Sequence, residues 1–168
     1  MATHINEKFN EGMIAFANEN YGSCIATLTD VVKADSSHKL AFAARGAAHM
    51  RSGNPAEAVS DFDRALAIDP DYARGYHLRG LAREVQGDDD GALEDFNRAI
   101  ELAPEYGAAY NSRANLYVKM GREEDAEGDM QMVTHFTEKN IQAFANENNV
   151  WRSHHLQVED AMGTELNR

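Results

Sequence analysis

Two consecutive stretches decide the fold: KLAFAARGAAHMRSGNPAEAVSDFDRALAIDPDY at residues 39–72 and ARGYHLRGLAREVQGDDDGALEDFNRAIELAPEY at residues 73–106. Laid over each other at an offset of 34 residues, they share eleven identical positions. These include Arg45/Arg79, Gly46/Gly80, Gly53/Gly87, Ala58/Ala92, Asp61/Asp95, Phe62/Phe96, Arg64/Arg98, Ala65/Ala99 and Pro70/Pro104. A further step of 34 keeps Tyr110, Arg113, Gly121, Ala126 and Asp129. A fixed period in this range signals a solenoid of stacked supersecondary units, each too small to bury its apolar face alone.

Each unit reads as two helices. KLAFAARGAAHMRSG is helical in composition and stops at Gly53. NPAEAVSDFDRALAIDP follows, with Asn54 placed to cap and Pro55 at the first helical position, where no N–H is needed. Ala58, Val59, Phe62, Ala65 and Leu66 recur every three or four residues and form one apolar stripe. Pro70 ends the helix because it offers no donor and clashes with the preceding turn. Gly87, Asp88 and Pro104 repeat this punctuation one period later. Mid-helix Gly46 and Gly80 each cost roughly 1 kcal/mol against alanine, a cost tolerated where a second helix must approach closely.

The pattern resembles the tetratricopeptide repeat, whose form is W-x2-L-G-x2-Y, then A-x3-F, then A and P. Phe42, Gly46, Ala58, Phe62, Ala65 and Pro70 stand at those places in one unit, and Tyr76, Gly80, Ala92, Phe96, Ala99 and Pro104 in the next. The resemblance implies an all-α, right-handed superhelical solenoid with units at 5–38, 39–72, 73–106 and 107–140, and capping helices over 141–168. The outer two units are degenerate. Glu138 stands where proline belongs in the fourth, and Lys8 where the aromatic belongs in the first.

Arg45, Arg79 and Arg113 occupy the family's leucine place, and Asp61, Asp95 and Asp129 follow each by sixteen residues. Such a row could bind a partner or brace the two helices of each unit, and the fixed spacing favours the brace. The first unit carries Glu11 and Thr27 instead.

The resemblance also implies that the first helix of each unit lines a concave face that binds protein segments, as a solenoid's long curved surface allows. In the family's register the candidate groove residues are Phe9, Met13, Met50, Arg51, Arg74, His77, Leu78, Leu81, Asn111, Asn115 and Lys119. Leu40, Ala43, Ala44 and Ala47 add to an apolar lining. Some of these side chains could instead pack between units. Some family members hold acidic C-terminal peptides in a clamp of Lys and Asn. Here the clamp places hold Phe9, Met13, Ala44, Arg74 and Leu78, so the set is absent. The expected partner is an apolar or amphipathic segment, with Arg51, Arg74 and Lys119 for an acidic flank. The expected function is a scaffold or adaptor without catalysis. The alternative is a chaperone-like subunit that holds an apolar segment of a secretion or assembly client.

The bulk numbers agree with that class. The 168 residues suit one domain, and the formal charge of −12 disfavours nucleic acid and anionic lipid as partners. The single cysteine, Cys24, excludes an intrachain disulfide and any cluster of several cysteines on zinc. No apolar run is long enough to span a membrane and the start MATHINEKFN shows no signal pattern, so a cytoplasmic protein is expected. GDDDG at residues 87–91 lacks the alternation and closing glutamate of a calcium loop, and reads as a helix start. His154 and His155 are adjacent and therefore point apart on a helix. No catalytic constellation, metal or cofactor is expected.

Residues 138–168 lack the repeat pattern. Ile141, Phe144 and Trp151 are suited to cover the end of the solenoid, to dock a second copy, or to fold back into the groove. AFANEN occurs at residues 15–20 and again at 143–148, out of register with the 34-residue period. Its Asn-rich end predicts a helix break near residues 146–149, with Trp151 opening a separate final helix.

Overall fold

The computed structural model describes residues 2–147. Those residues form eight helices and no strand: α1 (Ala2–Ala17), α2 (Tyr21–Ala34), α3 (Lys39–Arg51), α4 (Pro55–Ile68), α5 (Ala73–Val85), α6 (Asp89–Leu102), α7 (Gly107–Lys119) and α8 (Glu123–Glu147). Each helix packs on its neighbours in sequence, and α1, α3, α5 and α7 also touch in series, so the odd helices line one face of a helical-repeat solenoid. The expected breaks near residues 146–149 and at Trp151 lie at or outside the edge of the described residues.

Punctuation repeats with the period. The left-handed residue in the turn between the paired helices is Gly53, Gly87 and Gly121, with φ of 78°, 82° and 72°. In the first unit the same place holds Glu19 at φ 59°, a conformation that costs a side-chain-bearing residue roughly 1–2 kcal/mol. The asparagines of the first AFANEN therefore flank that residue: Asn20 caps α2 by accepting from the Ser23 N–H. Asp88 caps α6 the same way through the Gly91 N–H, and Asp89 and Asp90 sit in its first turn, where negative charge suits the dipole. Asn54 stands at the cap of α4, but its side chain makes no capping bond.

The core is built on ring-into-glycine contacts. Phe62 and Phe96 are fully buried. A methyl group on Gly46 would lie 2.8 Å from Phe62 Cε1, and one on Gly80 would lie 2.6 Å from Phe96 Cε1. Gly12 stands in the same relation to Leu28 in the first unit. Ala58, Ala92 and Ala126 are buried beside these contacts.

Two features mark the C-terminal end. Residues 141–147 prolong α8 and do not open a separate capping helix there; glutamate stands at 138, where proline ends the earlier units. The end face mixes polar and apolar groups: Met130, at the place of the fully buried Phe62 and Phe96, is 46% exposed. Positions 25, 29 and 32 of α2 face the next unit, and the matching triplets are Ile25/Thr29/Val32, Val59/Asp63/Leu66, Leu93/Asn97/Ile100 and Glu127/Gln131/Thr134. The last triplet is exposed. The array thus presents hydrated groups at these three places where earlier units present aliphatic ones, with Met130 exposed beside them.

Candidate functional site

The arginine row is a set of internal braces. Arg45, Arg79 and Arg113 each donate through Nε and Nη2 to both oxygens of Asp61, Asp95 and Asp129, at 2.5–2.9 Å. The three aspartates are 2–5% exposed. The remaining nitrogen, Nη1, crosses to the preceding unit, donating to Thr29, Asp63 and Asn97 in turn. One planar guanidinium thus ties three helices, a task its fixed fork of donors suits. Asp95 also accepts from Arg83 at 3.0 Å, whereas the matching position in the preceding unit is His49, 4.0 Å from Asp61. Hydrogen bonding to the carboxylates outweighs burial and raises the Arg79 and Arg113 pKa values further. The first unit, without this arginine, uses the outer pair Lys8–Asp30.

The concave face holds two adjoining depressions. The first is a cleft of about 250 Å³ between α1, α3 and α5, walled by Phe9, Met13, Leu40, Ala44, Tyr72 and Leu78, with Arg74 at its rim. The second is a wider, more open trough of about 800 Å³, where Arg74, His77 and Leu78 face Pro104–Tyr106. Arg74 lines both, is exposed, and forms no salt bridge among the described residues. The other groove cations are engaged: Arg51 donates to the Tyr21 hydroxyl and Lys119 to Asp89.

Comparison with known proteins adds the family. The profile for the tetratricopeptide repeat matches residues 40–72, and a second TPR-repeat profile matches residues 85–121. Those residues carry tetratricopeptide repeats. Among solved structures, the crystal structure of MamA is similar at a TM-score of 0.77 and 22% identity, over 82% of this chain and 81% of MamA. The first TPR domain of Spaghetti (RPAP3), bound to the HSP90 peptide SRMEEVD, is similar at a TM-score of 0.69 and 25% identity, over 72% of this chain and 96% of that one. The Sgt2 TPR domain from Aspergillus fumigatus gives a TM-score of 0.68 and 24% identity, over 72% and 82%. Curated protein sequences give no significant match.

Within this array, the sequence-derived groove residues other than the engaged Arg51 and Lys119 fall into three groups. Phe9, Met13, Arg74 and Leu78 come together in the cleft. Asn111 and Asn115 are exposed on α7, one turn apart. Met50 and Leu81 serve packing, and His77 lines the trough from a nearly buried position. Met50 lies on the Ala58–Phe62–Ala82 cluster, to which Leu78 also contributes, and Leu81 lies on the Ala92–Phe96–Leu116 cluster. His77 is 7% exposed, with Nδ1 3.0 Å from the Tyr106 hydroxyl and Nε2 2.8 Å from the Ser112 hydroxyl. Burial, with the Arg74 charge nearby, lowers its pKa from the usual 6.5 to about 4. The ring is therefore neutral at pH 7 and couples the third unit to the fourth. Register names the face a residue occupies but not how deep it sits.

Tyr72 and Tyr106 were missed. They stand just before α5 and α7 and wall the two depressions. Their identity at the 34-residue offset was the available signal.

Cys24 is fully buried and burial pushes its thiol pKa up, which suits packing rather than nucleophilic work. Among the described residues no group of His, Cys, Asp or Glu could hold a metal, and no helix is long and apolar enough to cross a membrane.

Proposed function

We propose that the array is a protein-interaction module that seats a peptide or short helical segment of a partner on its concave face, without chemistry of its own. The cleft between α1, α3 and α5 carries this reading: it is apolar, concave and walled by residues that the fold leaves partly in water, Met13 at 37% and Leu40 at 50% exposure. Methionine and phenylalanine walls adapt to varied side chains. The related RPAP3 structure holds an HSP90 peptide. At the clamp places here a single cation, Arg74, stands among Phe9, Met13, Ala44 and Leu78, so apolar contact should dominate affinity and Arg74 should favour an acidic flank.

The test is a peptide library displayed against the full chain. Selected sequences should pair bulky apolar residues with acidic ones. Leu40→Lys should weaken their binding by about tenfold or more, the effect of losing one well-seated apolar anchor, with the thermal melt unchanged because Leu40 is half-exposed. Peptides that bind Leu40→Lys as well as the parent would refute the groove reading.

A further inference from the structure

We propose that the two ends of the solenoid dock on each other between copies of this chain. The face of α1 that carries Ile14 seats on the face of α8 that carries Met130 in a second copy, and the molecules stack head to tail. The surface is separate from the concave cleft.

The two faces are the unused halves of an interface that the fold makes at every junction between its units. Ile14 takes the place of Ala48, Ala82 and Leu116, all 0% exposed, yet is itself 62% exposed. Met130 takes the place of Leu28, Phe62 and Phe96, all 0% exposed, yet is 46% exposed. Inside the array these two places meet. Leu28 shares a buried cluster with Ala48, Phe62 with Ala82, and Phe96 with Leu116. Among the described residues no second helix precedes α1 and no first helix follows α8. Each face therefore lacks a partner of the other's chemistry. Met130 lines a shallow hollow of about 340 Å³ with Glu127, Gln131 and Thr134, where Ile14 of the next copy would enter. Ile141, 59% exposed, stands three turns beyond Met130 on the same stripe and lengthens the apolar face.

The polar places around this contact also match. Arg79 donates to Asp63 across a unit boundary; Glu11 stands at the first of those places and Gln131 at the second. A carboxylate thus faces a carboxamide donor. Leu93 and Met120 flank the Phe96–Leu116 cluster; Glu127 and Asn18 stand at their places and form a second such pair. Gly75 lies against Leu66; Glu7 is bulkier than the glycine it replaces, and Thr134 is smaller than the leucine opposite. All six of these side chains are exposed, and none of the three acids is set against another acid. The contact is heterologous, since each face meets the other and not itself, and so it leaves one free face at either end and does not close. Concave clefts then stand in series, and a partner with several binding segments gains avidity.

Light scattering on the full chain tests this, from about 1 μM to 1 mM and at salt that screens the −12 charge of each copy. The mean mass should rise with concentration through two chains and beyond. Ile14→Lys and Met130→Lys, both at exposed positions, should each weaken association by about tenfold or more while the thermal melt holds. Mixed in equal amounts, the two variants should recover a species of two chains and no larger, because the intact Met130 face of one meets the intact Ile14 face of the other. Met132→Lys puts a cation where Arg64 and Arg98 stand and should associate as the parent does. A parent that stays a single chain throughout overturns the proposal, whether residues 148–168 or a different protein cover Met130. A mixture of the two variants that stays monomeric overturns it as well, since a contact between like faces loses both partners. Association that survives Ile14→Lys or Met130→Lys, or that Met132→Lys or Leu40→Lys abolishes, also overturns it, because another surface then joins the copies.

Discussion

Replacing Arg113 by leucine removes one side chain and strands another. Asp129 is 5% exposed, and its two oxygens accept from Arg113 Nε at 2.8 Å and Nη2 at 2.7 Å. Removing one partner of such a buried pair costs about 3–5 kcal/mol, because the remaining charge stays out of water. The lost bond from Nη1 to Asn97, at 2.6 Å, adds about 1 kcal/mol. Leucine fits the space, since the family form carries it there, so the cost is electrostatic rather than steric. Arg79→Leu should be milder, roughly 2 kcal/mol, because Arg83 still donates to Asp95 at 3.0 Å. The double change Arg113→Leu/Asp129→Leu should return to within about 1–2 kcal/mol of the parent, since no charge is left behind. Urea unfolding followed by helical circular dichroism measures all three. The reasoning is refuted if Arg113→Leu costs under about 1 kcal/mol, the range of an exposed pair. It is also refuted if the double variant is no better than the single, or if Arg79→Leu is the worse of the two single changes.

Two further outcomes follow from packing and protonation. Gly80→Ala should destabilise by about 1–3 kcal/mol despite alanine's better helix propensity, because its methyl would meet Phe96 at 2.6 Å and the Ala92 carbonyl at 3.2 Å. Gly128→Ala, with nothing within 4 Å, should stabilise by up to about 1 kcal/mol, and thermal melts of the two should move in opposite directions. His77 is held neutral by the fold, with a pKa of about 4 against the usual 6.5, so the unfolded chain binds the extra proton first. Stability should therefore fall as pH drops from about 6.5 toward 4, with a slope approaching 1.4 kcal/mol per unit. Urea midpoints across that window should show this slope in the parent and lose it in His77→Gln.

The braces were legible because both members of each pair recur at one offset, and a repeated coincidence of charge across two helices has few other causes. Their third bond was not, since Thr29, Asp63 and Asn97 share a position but not a residue type. The small residues were readable as contact points, and the rings they meet are Phe62 and Phe96 as the pattern implies. The depth of the groove residues was less legible. A helical register assigns faces, but neighbouring units decide how far a residue on that face reaches water: Met50 and Leu81 pack on such neighbours, and His77 lines the trough nearly buried. The run of α8 past residue 140 also escaped, because a missing proline gives no positive signal of where a helix goes on to.

The first unit lacks what stiffens the others. It has Glu11 in place of the bracing arginine, Glu19 in a turn that elsewhere holds glycine, and the outer Lys8–Asp30 pair in compensation. Yet α1 supplies Phe9 and Met13, one whole wall of the cleft. The cleft is therefore built from two helices that carry the arginine brace and one that lacks it. An occupant that grips all three would clamp the unit that folding alone holds least. Tightness of binding and integrity of the N-terminal repeat then become one quantity, and a change that stiffens α1 would act on affinity without touching the ligand.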